Sequence, residues 1–167
     1  MALAGCGSNA HLPKHAAKTA PAPIRRRDVQ LLNAALYLER RTVAAYTAGI
    51  PLLPRPQARA AKQFLNEELQ HTGELLALIK AAKGVAIPRA ASYDIGHPRD
   101  GNQVLALLHE LESAQIAGYL RAIPELSPGP VRAAVATILA NDAQHVCILR
   151  LEQGENPLPS AFVTGRE

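Results

Sequence analysis

Six side chains able to bind metal occur in this chain as two copies of one pattern. Glu39 is followed 29 positions later by Glu68-Leu69-Gln70-His71, and Glu112 is followed 30 positions later by Asp142-Ala143-Gln144-His145. A carboxylate and an imidazole three residues apart on a helix share a face and can reach one ion. The lone glutamate of each set can cap or bridge from a neighbouring helix. Carboxylate oxygens with one imidazole nitrogen per ion suit Fe or Mn, with Zn a weaker fit. Four carboxylates carry −4, which two divalent cations balance when both histidines are neutral.

The surroundings of these residues repeat as well. Residues 36–51 (LYLERRTVAAYTAGIP) align without gaps on 109–124 (HELESAQIAGYLRAIP), and FLNEELQH at 64–71 aligns on ILANDAQH at 138–145. A duplicated helical hairpin follows, with helices expected over about 29–50, 57–83, 101–123 and 128–153. Asp28 is the expected N-cap of the first, Ser127-Pro128 the opening of the fourth, and Pro51, Gly84, Pro124 and Gly154 stand at the stops. Steps of four and three put Leu32, Leu36, Glu39, Val43, Tyr46 and Ile50 on one stripe of the first helix. The third helix repeats it with Leu105, His109, Glu112, Ile116, Tyr119 and Ile123. Phe64, Glu68, His71, Leu75 and Leu78 form the stripe of the second, and Ile138, Asp142, His145 and Leu149 that of the fourth. This alternation marks an inward seam. Charged groups on such a seam are rarely buried unless paired or bound to metal.

Short links within each hairpin make its helices antiparallel. The middle link, 84–100, spans up to roughly 55 Å when extended, enough to return along a bundle. The second and third helices can then run parallel. Residues 1–27 read as a flexible Ala/Pro/Lys-rich tail, 28–153 as the bundle, and 154–167 as an irregular C-terminal tail in which Phe162 and Val163 are candidates to pack back. The tail holds Lys14, Lys18, Arg25, Arg26 and Arg27 and no acid, leaving 13 basic against 14 acidic residues in the body. The folded part lacks the basic face that nucleic-acid binding requires. Two cysteines, Cys6 and Cys147, exclude a disulfide framework.

With this pattern the chain resembles the ferritin-like superfamily over residues 28–153. The resemblance implies an all-α fold, an antiparallel four-helix bundle of two duplicated hairpins joined by a long crossover. It implies a di-iron or di-manganese carboxylate centre with Glu39, Glu68, His71, Glu112, Asp142 and His145 as ligands. Asp142 departs from the family's usual Glu, and its shorter arm leaves one position weaker or more open. Tyr46 and Tyr119 each follow a lone glutamate by seven residues, where ferritin-like proteins often carry a tyrosine that hydrogen-bonds a ligand carboxylate. His109 is a seventh ligand, a proton relay or a core histidine. Glu67 and Glu74 have Asn141 and Ile148 as repeat partners, so repetition does not support them as ligands.

The expected function is oxidation of Fe(II), or reaction with O2 or peroxide, at two Fe ions, with Mn as the alternative metal. The activity would be of the ferroxidase or peroxide-consuming type. The alternative is a metal-binding or structural bundle without turnover. A Cys-x-x-Cys pair is absent, and the Pro-rich end after 153 does not resemble the fifth helix of a storage cage, although a homodimer is compatible. Leu3-Ala4-Gly5-Cys6 resembles a bacterial lipobox, which would make Cys6 a lipid anchor and the protein an extracytoplasmic lipoprotein. With Met1 as the true start the protein would be cytoplasmic.

Overall fold

A computed structural model of the chain describes residues 25–167. The lipobox-like stretch with Cys6 and most of the basic tail lie outside the described residues. Among those described there are four α-helices and no strand: α1 (Arg26–Gly49), α2 (Arg55–Ala81), α3 (Gly101–Ala122) and α4 (Pro130–Glu152), with a 3₁₀ turn at Ile50–Leu52 between the first two.

The helix ends differ from expectation for local reasons. Asp28 does not cap α1 from outside. It lies in the first turn, where Oδ2 accepts from Arg25 N at 2.7 Å and Oδ1 accepts from Ser127 N at 2.8 Å. One buried carboxylate thus closes the start of α1 and ties down the loop before α4. Ser127 is therefore a partner of Asp28 rather than the cap of α4, which opens two residues later than the expected 128. Gly129 occupies the cap position of α4, at φ 97°, with Pro130 opening the helix. At the end of α2 the left-handed residue is Lys83 (φ 54°), and Gly84 N donates to Ile79 O at 2.9 Å. Gly84 is needed for space instead, because a Cβ there would lie 2.6 Å from Val29 Cγ1.

The two hairpins join through α1 against α3 and, more loosely, α2 against α4. The crossover 84–100 climbs the outer face of α1. Asn33 grips it on both sides, donating to Val85 O (3.0 Å) and accepting from Ile87 N (2.7 Å). Arg40 and Arg41 donate to Ile87 O and Asp94 O, both at 2.8 Å, and Tyr37 packs on Tyr93. The second and third helices consequently run parallel on one diagonal. The start of α2 (Ala61, Phe64) shares a cluster with the start of α3 (Val104, Leu105, Leu108). The end of α2 (Leu75, Ile79) shares the other cluster with the end of α3 (Tyr119).

The interior is an apolar layer at each end with a polar layer between. Leu32, Leu36, Leu75, Val131, Val135 and Ile138 belong to one apolar layer, and Ala45, Phe64, Leu105, Leu108, Leu111 and Leu149 to the other. Each large apolar side chain so buried contributes about 1.5–3 kcal/mol, which offsets the cost of the polar layer. The seam of α2 continues through the buried Ile79 rather than Leu78, and that of α3 through Leu108 rather than His109. After α4 the chain is irregular. Phe162 stays 78% exposed and Val163 45%. The tail nevertheless packs close to α3 at Gly165, where a Cβ would meet Ser113 O at 2.5 Å and Ala117 N at 2.6 Å.

Candidate metal centre

The polar layer between the two apolar clusters consists of side chains from all four helices: Glu39 of α1, Glu68 and His71 of α2, Glu112 of α3, and Asp142 and His145 of α4. All are buried. Their donor atoms fall into two groups, Glu68, Glu112, Asp142 and His145 in one and Glu39, His71 and Asp142 in the other. Within each group the atoms lie within 4.8 Å of one another. His71 Nδ1 is 3.4 Å from Glu68 Oε1, 3.4 Å from Asp142 Oδ1 and 3.7 Å from Glu39 Oε2. His145 Nδ1 is 3.2 Å from Glu112 Oε1 and 3.4 Å from Glu68 Oε1. Glu68 Oε1 therefore stands between the two imidazoles.

Hydrogen bonds hold this layer from outside, and the longest-range ones cross between the hairpins. Tyr46 of α1 donates to Glu112 Oε1 of α3 at 2.7 Å, and Tyr119 of α3 donates to Glu39 Oε1 of α1. The tyrosines thus bond ligand-type carboxylates, each serving the glutamate of the opposite repeat. Thr42 and Gln115, equivalent positions of the repeat, face each other: Thr42 Oγ1 donates to Gln115 Oε1 at 2.7 Å. Gln115 Nε2 goes on to donate to Glu68 Oε2 at 3.0 Å. Glu67, just outside the cluster, accepts from His145 Nε2 at 2.7 Å. Glu67 has no acidic counterpart in the repeat, and Thr42 and Gln115 differ in type across it. Their common position three residues after each lone glutamate, one helical turn on, was the sequence cue available. His109 lies away from the cluster, beside Arg150, Glu155 and the backbone of Glu167. Burial, then the charge of Arg150, pushes its pKa down.

Six ionisable groups in one core volume shift one another strongly. Burial, then the Glu68 charge, pushes Glu39 up to about 8 and Glu112 up to about 7. Asp142 is raised well above the usual range by burial and by Glu112, Glu68 and Glu39. Glu68 goes the other way: burial acts to raise it, but bonds from His145, His71 and Glu39 outweigh that and hold it at about 2. Burial would lower both histidines, yet the facing carboxylates raise His71 to about 10 and His145 to about 11. Left to themselves these side chains share protons to offset their charges, a role that a cation can take over.

After those bonds the layer still has buried atoms without a hydrogen-bond partner: Glu39 Oε2, Glu68 Oε1, His71 Nδ1, Glu112 Oε2 and both oxygens of Asp142. A buried polar atom left unpaired costs about 1–3 kcal/mol, more if charged, and here they converge on one volume. The donor set, oxygen-rich with two imidazoles, could hold a metal ion.

The ferritin-like domain family matches residues 27–155. The chain belongs to that family. Its fold is similar to the crystal structure of a conserved hypothetical protein from Mycobacterium tuberculosis. That similarity has a TM-score of 0.74 at 18% identity and covers 81% of this chain and 96% of the other. No curated protein matches the sequence. Ferritin-like membership accounts for the four-helix frame and for a buried carboxylate and histidine cluster that could bind metal.

Proposed function

We propose that Glu39, Glu68, His71, Glu112, Asp142 and His145 hold two divalent ions, Fe(II) or Mn(II), and that the pair reacts with O2 or peroxide. The observation that carries this reading is the convergence of unpaired buried donor atoms from four helices on one volume. Asp142 belongs to both donor groups, and Glu68 Oε1 lies 3.4 Å from each histidine's Nδ1, so with ions bound these two carboxylates would be the shared ones. Glu39 and Glu112 would then serve one position each. When bound, two ferrous ions supply the two electrons that reduce O2 to hydrogen peroxide, with two protons consumed.

The chain's own contribution is orientation and exclusion. Tyr46 and Tyr119 each occupy one oxygen of a lone glutamate, which fixes the carboxylate plane and leaves the other oxygen buried without a hydrogen-bond partner. Gln115 does the same for Glu68. The apolar layers on either side keep bulk water from the cluster, and only the edge of His71 reaches the surface.

An oxygen electrode tests this. Fe(II) added to the anaerobically prepared, metal-free protein and then exposed to O2 is expected to consume one O2 for every two irons, faster than Fe(II) in buffer. Tight metal binding without oxygen uptake would replace the redox role by a binding role. Neither binding nor uptake would remove the reading altogether.

A further inference from the structure

The two histidines are held very differently. His145 donates from Nε2 to Glu67 Oε2 at 2.7 Å, and its ring stacks on Phe64 at a centroid distance of 4.2 Å. With Nε2 donating to Glu67, Nδ1 is the nitrogen that faces Glu112 and Glu68, and it becomes the ligand atom once an ion takes the place of its proton. His71 has no such partner among the described residues. At the repeat position of Glu67 stands Asn141, which carries no carboxylate to hold His71 in the same way. Glu67 itself is 27% exposed, in a groove of about 320 Å³ between α2 and α4 with Gln63, Asn141 and Gln144 on its walls. It is outside both donor groups.

We propose that Glu67 is a positioning residue: it locks the tautomer and ring plane of His145, and so makes the position served by Glu68, Glu112, Asp142 and His145 the first to fill. The inference rests on the dinuclear reading above. Three outer bonds, from Tyr46 to Glu112, Gln115 to Glu68 and His145 to Glu67, preorganise that group before any ion arrives. The group of Glu39, His71 and Asp142 has one such bond, from Tyr119. An ion entering the first group meets ligands already oriented, whereas His71 must be ordered on binding. Carboxylate partners of ligating histidines typically change metal affinity about 10–100-fold.

The test is a Co(II) titration of the metal-free full chain, followed by calorimetry and by the visible d–d bands, which report imidazole ligation. Wild type is expected to bind in two steps. Glu67→Ala should weaken the first step about 10–100-fold and alter the spectrum of the first equivalent while sparing the second. Glu67→Gln, whose amide oxygen can still accept from Nε2, should restore most of the affinity and the spectrum. Glu74→Ala removes an equal charge from an exposed site on the same helix and should change neither step. An unchanged first step in Glu67→Ala, with two ions still bound by wild type, overturns the positioning role alone. An equal loss in Glu74→Ala reduces it to a general charge effect and also overturns it. Wild type that binds no ion overturns both this inference and the dinuclear reading.

Discussion

The first hairpin (α1 and α2) and the second (α3 and α4) supply the same ligand types at matching positions, and the outer bonds of Tyr46 and Tyr119 obey the same two-fold exchange. The residues around them do not. Glu68 is tied by Gln115, while its counterpart Asp142 has both oxygens unpartnered, because Asp is shorter and Thr42, opposite Gln115, bonds Gln115 instead. His145 is clamped by Glu67 and Phe64, and His71 is not. Duplication thus provides a symmetric frame, and single-residue departures outside it decide how firmly each ligand is held. A pair of ions bound in such a frame would meet two unequal positions.

The largest expected effect comes from removing ligands of both halves. Glu68→Ala/Glu112→Ala should retain less than half of the wild-type metal, measured as bound metal per chain after desalting. Full retention would show that the repeat pattern misidentifies the site.

Proton linkage gives the next effect. Glu39, Glu112, Asp142, His71 and His145 have raised pKa values in the folded chain, and only Glu68 is lowered. Raised groups bind protons more tightly when folded, so the stability they contribute is lost as pH rises towards their folded values. Glu68 adds stability only above the ordinary glutamate range and is already constant there. The metal-free protein should therefore melt at a lower temperature at pH 8.5 than at pH 5.5, at a slope of about 1.4 kcal/mol per pH unit for each extra proton held. Metal takes the place of those protons, so the gain in Tm on loading should grow with pH. A rising melting temperature of the metal-free protein over this range would contradict the shared-proton account.

The symmetric part of the frame is tested by Tyr46→Phe and Tyr119→Phe. Each removes the hydroxyl donor of one buried carboxylate oxygen, leaving Glu39 Oε1 unpaired and Glu112 Oε1 with His145 Nδ1 alone, and should cost about 1–3 kcal/mol in chemical denaturation of the metal-free protein, with both values in that range. A large difference would break the two-fold exchange. The asymmetric part is tested by Gln115→Leu against Thr42→Val. Gln115→Leu frees Glu68 as well as Thr42 and should cost about 1–2 kcal/mol more than Thr42→Val, with the excess visible also as weaker metal binding.

Much of the frame was legible because it rests on spacing. The 29- and 30-residue intervals and the 4/3 stripes located the polar layer, and the length of the 84–100 link implied the parallel second and third helices. The path of that link along α1 depends on Asn33, Arg40 and Arg41, surface residues with no periodic signal. The helix starts were shifted because Asp28 serves two backbone amides, one of them 99 residues away at Ser127, which local capping rules do not register. Glu67 was set aside because repetition finds what both halves share, and its role lies in what they do not. Thr42 and Gln115 differ in type across the repeat, so their pairing appears only once α1 and α3 are in contact.

The central claim is most directly tested by counting iron bound per chain in an anaerobic Fe(II) titration of the metal-free protein. The account predicts saturation at two irons per chain, filled in two distinguishable steps. Saturation at one, or no binding, would contradict it.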